Sequence, residues 1–331
     1  LVTREIFLSI TLIFISSFWV CRSIDCGGSQ ISRTIIVDKS HKSHFTSLQA
    51  AIDSISPNNN KWVKIQINAG TYKEKVQIPE NKPCIFIQGQ GKDVTTIAFD
   101  DHVAPNSSST FTSFSDNFVA SDITFQLNGK FVAFSLPDPE VPALAARISG
   151  DKSAFFNCGF VGFQDTLWDE LGRHYFQGCT IEGAVDFIFG DGQSYYRDCV
   201  LNVTALGSMT AQARMSDSEP TGFVFAGGSV IGSGTGISLL GRGYRPCSRV
   251  IFFKTNLGSV VQPVGWDAWS AKNNVSCLFY SEIMCSGPGS NTFQRVPWKK
   301  KLTFTQFAKK YSLQVFVNKD GWLSNLPHKT E

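Results

Sequence analysis

The sequence predicts an all-β fold, a right-handed parallel β-helix, and three observations carry that prediction. A segment of about twenty residues recurs; the recurring strands are short and joined by turns too tight for helices; and the composition leans toward strand and turn formers, with 28 Phe and 28 Gly in 331 residues. With 42% apolar and 17% charged residues, the chain is also far from the disordered class.

The repeat is clearest in "SAFFNCGFVGF" (153–163), "RHYFQGCTIEGAVDF" (173–187) and "QSYYRDCVLNV" (193–203). Each has a small or polar lead, two aromatics, a polar step, Cys, and then an alternating apolar segment. Looser copies are "DNFVASDITFQ" (116–126), "TGFVFAGGSVIG" (221–232) and "SRVIFFKTNLG" (248–258), and "VKIQINAGTY" and "CIFIQGQG" upstream read as short strands with Gly-rich turns. Stacked coils of this length place like side chains in ladders, so Phe and Cys columns are expected inside. A β-sandwich is the competing architecture, but its hairpins do not require a fixed recurrence of about 20 residues. Helices are expected only at the periphery, capping the ends. "FTSLQAAIDSI" (45–55) has apolar residues at helical spacing and suits an N-terminal cap, and "TFTQFAKKYS" (303–312) is a second helix near the C-terminus.

Ahead of the repeats, Arg4 precedes an uncharged, mainly apolar run from Ile6 to Val20, followed by "CRSIDCGGS". Residues 1–23 therefore read as a secretory signal peptide, and residues 24–331, which no Pro/Ser-rich linker divides, as one β-helix domain. The apolar run is short for a membrane span and no other segment approaches one. Asn106, Asn202 and Asn274 begin glycosylation sequons, in keeping with secretion. Secretion permits disulfides among the nine cysteines. Cys158, Cys179 and Cys199 have the spacing of the repeat, whereas Cys277 and Cys285 are placed to close a small loop, with the pairing left open. The formal net charge of +3 gives no case for nucleic acid, and Lys299–Lys301 reads as a solvated loop. A weakly basic surface nevertheless suits a polyanionic substrate.

Two aspartates stand out. Asp165 and Asp186 lie 21 residues apart, each beside large apolar side chains, where carboxylates are rare unless paired or working. One coil of that length sets them one above the other at the inter-strand distance of roughly 4.8 Å. So close a pair does not ionise independently: one carboxyl is pushed toward its acid form while the other stays charged. Gln164 lies 22 residues before Asp186 and is placed to donate to a developing oxyanion; Pro142 lies 22 residues before Gln164. Arg242 stands between two glycines that permit close approach of the chain. Other chemistries find no support. There is no G-x-S-x-G elbow, and His41, His44, His102, His174 and His328 have no ligand spacing, so neither metal nor cofactor is expected. "GQGK" (89–92) reads as a turn rather than a phosphate loop.

"GTYKEKV" (70–76), "ARISGDKSAFFNCGFVGFQDTLWD" (146–169), "VDFIFG" (185–190), "LLGRGY" (239–244) and "GWDAW" (265–269) occur in the order seen in plant pectin methylesterases, and "SGPGS" and "RVPW" fit as well. From about Ile35 to Leu323 the chain resembles that family, in its short type with a signal peptide and without an inhibitor-like pro-region. The resemblance implies the pectin-lyase-like β-helix and metal-free hydrolysis of methyl esters on galacturonan. It implies Asp186 as nucleophile, Asp165 as proton donor and then base, Gln164 as oxyanion stabiliser and Arg242 as the residue orienting Asp186. It further implies that Tyr244, Trp266, Trp269 and Phe189 line a sugar-binding cleft, while Gly70, Tyr72 and Glu74 are structural. The implied substrate is methyl-esterified homogalacturonan in the plant cell wall. The protein is expected to act as a monomer, and a pectinesterase inhibitor protein is a second candidate partner.

Three departures from the family pattern stand out. Pro142 replaces an oxyanion Gln in "PALAAR" and has no amide to donate; Tyr244 replaces a Trp; and "TAQAR" (210–214) lacks a Gly before its Arg. The expectation is a pectin methylesterase of reduced activity, with a catalytically inactive pectin-binding β-helix as the alternative.

Overall fold

The computed structural model describes residues 26–40, 43–100, 109–127 and 144–328. The expected signal peptide, Asn106 and Pro142 lie outside these residues.

Ten strands, from Ile31–Val37 to Phe279–Ile283, form one wall of a cylinder, every neighbour pairing in parallel. A thirteen-stranded sheet supplies the other walls, and its strands are likewise parallel to their partners. Sequential coils that always return to a parallel neighbour make a β-helix, and such crossovers take the right-handed sense. The coils are unequal. Paired residues are offset by 20 at His174↔Ser194 but by 35 at Val119↔Ala154, because loops of different length leave the corners. The central coils keep the spacing near 21 that the repeat suggests, as does the N-terminal pairing Val63↔Ile85, offset by 22.

The expected aromatic ladder runs through these coils. Phe155, Phe176, Tyr196, Phe225 and Phe252 are partners in register, with centroids 4.9, 4.5, 4.5 and 4.7 Å apart and planes within 16° of parallel. Those separations are the inter-strand spacing itself, so the backbone ladder sets the stacking distance. After each of the last seven strands of the ten-stranded wall, from Phe118–Ser121 onward, the chain turns through one left-handed residue: Asp122, Asn157, Gly178, Asp198, Gly227, Lys254 and Met284 all have positive φ. Asp, Asn and Gly tolerate that conformation best and hold five of the seven corners.

Cys158, Cys179 and Cys199 follow these corners as a free, buried column. Cys285 follows Met284 in the same way, and its Sγ meets the Phe252 carbonyl at 3.5 Å, as that of Cys179 meets Phe155. The expected Cys277–Cys285 loop is therefore corrected: Cys285 belongs to the corner column, and Cys277 pairs with Cys247. A second disulfide joins Cys26 and Cys84.

The N-terminal helix is Leu48–Asp53, shorter than expected, and it packs Leu48, Ala51 and Ile52 against the first strands. Glu74 explains its place: its carboxylate accepts from Ser47 Oγ (2.7 Å), Leu48 N (2.8 Å) and Gln49 N (3.0 Å), meeting the free amides and positive end of the helix. Lys82 Nζ meets the other end, at the carbonyls of Ile52 (3.0 Å) and Asp53 (2.9 Å). The C-terminal helices, Phe304–Lys310 and Leu313–Phe316, lie along a flank rather than across the end. The reason is the two-residue period of the strands. Phe156, Tyr175, Tyr195, Val224 and Ile251 point outward from the ten-stranded wall and are buried under the C-terminal segment, in one cluster with Phe307, Tyr311, Phe316, Trp322 and Leu326.

Truncating the middle of the ladder, Phe176→Ala, is expected to cost about 3–5 kcal/mol of stability. Denaturant unfolding measures this, and a loss below about 1 kcal/mol would contradict the role given to the stack.

Candidate active site

Asp165 and Asp186 come together as the coil length requires. Gln164 bridges Val185, Leu167 pairs with Ile188, and the Asp165 amide donates to the Val185 carbonyl at 3.0 Å, so the aspartates occupy equivalent positions on adjacent coils. Both adopt positive φ, 59° and 48°. This left-handed step breaks the in-out alternation, so Phe187 and Ile188 enter the core while Asp186 stays at its rim, 7% exposed. Asp165 and Gln164 are half-buried.

Arg242 closes over Asp186. Its Nε lies 2.8 and 3.1 Å from the two carboxylate oxygens and its Nη2 lies 2.6 Å from Oδ2, a forked ion pair. The flanking glycines permit the approach: a Cβ on Gly241 would lie 2.2 Å from Thr210 Oγ1, and one on Gly243 would lie 2.8 Å from the Ala268 carbonyl. The other side of the guanidinium rests on Trp269, with Cζ 4.1 Å from the ring centroid. Tyr244 stacks on Trp269 at 5.7 Å, and Arg245 lies over Tyr244 at 4.8 Å.

These surroundings make the two carboxyls unequal. Burial, and then the charge of Asp186, push Asp165 up to about 7, against a smaller downward pull from Arg242. Burial also raises Asp186, but there the bond to Arg242 pulls back directly. Burial works against the charge of Arg242, but its bond to Asp186, together with the charges of Asp186, Asp267 and Asp165, more than offsets this. The result is an acid that holds its proton near neutrality beside a carboxylate paired to a cation.

The cleft residues divide. Trp269 and Tyr244 are 39% and 37% exposed beside the aspartates. Phe189 is half-buried and stacks on Trp168 at 5.4 Å. Trp168, overlooked in the sequence, pairs with Phe189 in register and stands three residues after Asp165, as Phe189 does after Asp186; that common offset was the available signal. The Arg147 guanidinium covers Trp168 at 4.2 Å and is held by both oxygens of Glu170, at 2.6 and 2.7 Å. Trp266 is a correction. It is 1% exposed, stacks on Tyr280 at 4.5 Å and donates Nε1 to Glu282 at 3.1 Å, so it is a core residue and lines no cleft. In the pair Trp266–Asp267 the alternation sends Asp267 outward and the indole inward. Among the sequons, Asn274 is exposed, and Asn202 is half-buried with its Nδ2 2.8 Å from a Glu182 oxygen.

The family model described as Pectinesterase matches residues 34–320. Similar curated proteins of Arabidopsis thaliana include probable pectinesterase 55, 46% identical over 302 residues that span 88% of this chain and 91% of that protein. Probable pectinesterase 29 is 45% identical over 302 residues, 88% of this chain and 89% of that protein. Among solved structures, the pectin methylesterase from carrot matches with a TM-score of 0.83 at 26% identity, across 91% of this chain and 99% of its own.

Removing the guanidinium, Arg242→Ala, strands a largely buried carboxylate and is expected to cost about 1–3 kcal/mol at neutral pH. Without its cation Asp186 titrates higher in the folded than in the unfolded chain, so the folded variant binds the proton more readily. Its deficit should therefore shrink as pH falls through that titration. Unfolding measured against pH in variant and parent checks the sign, and a deficit that widens on acidification would contradict it.

Proposed function

The chain belongs to the pectinesterase family, and on that footing we propose that Asp186 is the nucleophile, and Asp165 the acid and base, with which it removes methyl esters from pectin. It is a carboxylic ester hydrolase of the pectin-de-esterifying kind. The unequal ionisation of two stacked carboxyls is the observation that carries the assignment of roles.

In the proposed course, an ionised Asp186 oxygen attacks the C6 carbonyl carbon of a methyl galacturonate unit. Arg242 aims that carboxylate and keeps it charged. Negative charge moves onto the carbonyl oxygen, where the Gln164 amide is assigned as donor. As the tetrahedral intermediate collapses, the bond to the methoxy oxygen breaks, Asp165 gives that oxygen its proton, and methanol leaves an acyl-enzyme on Asp186. Asp186 is now neutral, which removes one of the two influences that held Asp165 up. Asp165, as a carboxylate, takes a proton from water as the hydroxide attacks the acyl carbon; the bond to Asp186 breaks, ionised Asp186 is released, and the new galacturonic acid carboxyl gives its proton to solvent. No step calls for a metal.

Secretion to the cell wall completes the proposal. The apolar run before residue 23 and the disulfides Cys26–Cys84 and Cys247–Cys277 suit an oxidising, extracellular setting, and exposed Asn274 is the favoured glycosylation site. Among the described residues no helix is long and apolar enough to cross a membrane. The reduced turnover read from Pro142 rests on the sequence, and it competes with an inactive pectin-binding form.

Methanol release from highly esterified pectin decides between these readings. The parent is expected to release methanol and Asp186→Ala to lose at least about a thousandfold, while Pro142→Gln gains up to about a hundredfold. Equal rates in parent and Asp186→Ala would leave only the binding form. The pH profile provides a second check. Because Asp165 must carry its proton for methanol to leave, kcat/KM should fall as pH rises through about 7, and it should fall again in acid as Asp186 protonates. A profile flat through neutrality would reassign the acid.

A further inference from the structure

Resting on the esterase reading, we propose that Arg245 is a specificity residue: its guanidinium binds the free C6 carboxylate of a galacturonate unit already stripped of its methyl, beside the unit entering the site. Arg242, Trp269, Tyr244 and Arg245 form a continuous column, with separations of 4.1, 5.7 and 4.8 Å, that leads outward from Asp186. The two guanidiniums at its ends are in opposite situations. Arg242 has given its fork to Asp186. Arg245 is exposed, and among the described residues no carboxylate pairs with it. The Arg245 Cζ lies 4.8 Å from the Tyr244 ring centroid, and an exposed guanidinium with no carboxylate partner of its own has donors free to bind one through two parallel hydrogen bonds.

The mount is rigid. Ser270 Oγ donates to the carbonyls of Gly243 (2.6 Å) and Tyr244 (2.9 Å), the Ser248 amide donates to the Arg245 carbonyl at 3.2 Å, and Cys247, two residues on, is tied to Cys277. A loop whose backbone is held in place before the ligand arrives loses less freedom on binding it. The ligand chemistry comes from the reaction itself, since every turnover leaves a carboxylate on the polymer. A cation at the end of the column therefore favours a chain already partly processed, and sequential rather than scattered removal of methyl groups.

The test compares parent, Arg245→Ala and Arg245→Lys on pectins of high and of intermediate methylation. The ratio of kcat/KM on intermediate to that on high methylation is expected to drop about two- to fivefold in Arg245→Ala, through KM, and to recover partly in Arg245→Lys. Raising the salt should bring the parent's ratio toward that of the alanine variant. Affinity electrophoresis on fully de-esterified polygalacturonate reads the same contact without turnover, and Arg245→Ala should migrate less retarded than the parent. An unmoved ratio together with equal retardation would overturn the proposal. A parent that releases no methanol would sink the esterase reading alone, and the retardation difference would still decide whether Arg245 binds carboxylate.

Discussion

Neighbouring coils must hydrogen-bond in register, about 4.8 Å apart, and the rest of the molecule is arranged around that constraint. It turns a sequence offset of 21 into contact between two carboxyls, because Gln164 and Leu167 are already committed to Val185 and Ile188 on the next coil. The same constraint stacks Phe155, Phe176, Tyr196, Phe225 and Phe252 inside, and the stack in turn protects the register: a slip of one residue would bring the outward side chains into the core. The aspartates cannot drift apart without unstacking the aromatics behind them.

Register makes the carboxyls neighbours but does not make them different. Their difference comes from Arg242, which reaches Asp186 with three short hydrogen bonds and Asp165 only through its field. The guanidinium is steadied in turn by Trp269 on its far side and by glycines that bring its short strand close to the neighbouring coil. A lysine would supply the charge without the fork or the stacking plane, so the charge alone would not reproduce the arrangement.

What the sequence made legible follows the same division. In-register features could be read from spacing: the Phe and Cys columns, the aspartate pair, and the cap formed by 48–53. Features set by direction rather than spacing could not. Trp266 and Trp269 lie three residues apart in one motif, yet one is core and the other surface, because a strand and then a short 3₁₀ turn separate them. The roles of motif residues assigned no chemistry also emerged only in three dimensions. Glu74 caps a helix, and Arg295 of "RVPW" is buried against Glu282, with its remaining donors on the carbonyls of Gln262, Pro263 and Gly289. The Cys277 pairing stayed open in the sequence because the corner column extends to Cys285 across coils whose lengths no longer match the repeat.

The aromatic wall bears on what Tyr244 does in place of a larger ring. One face of Trp269 is covered by Arg242 and it stacks with Tyr244, whose own ring also carries Arg245. With faces engaged in this way, a sugar approaching the wall meets ring edges and the outer guanidinium more than open planes. The wall then serves less as a stacking platform than as a brace running from solvent to Asp186. On that view a narrower ring at position 244 costs little sugar contact. Its consequence is felt through how firmly Trp269 is pressed onto Arg242, and so through the charge on Asp186.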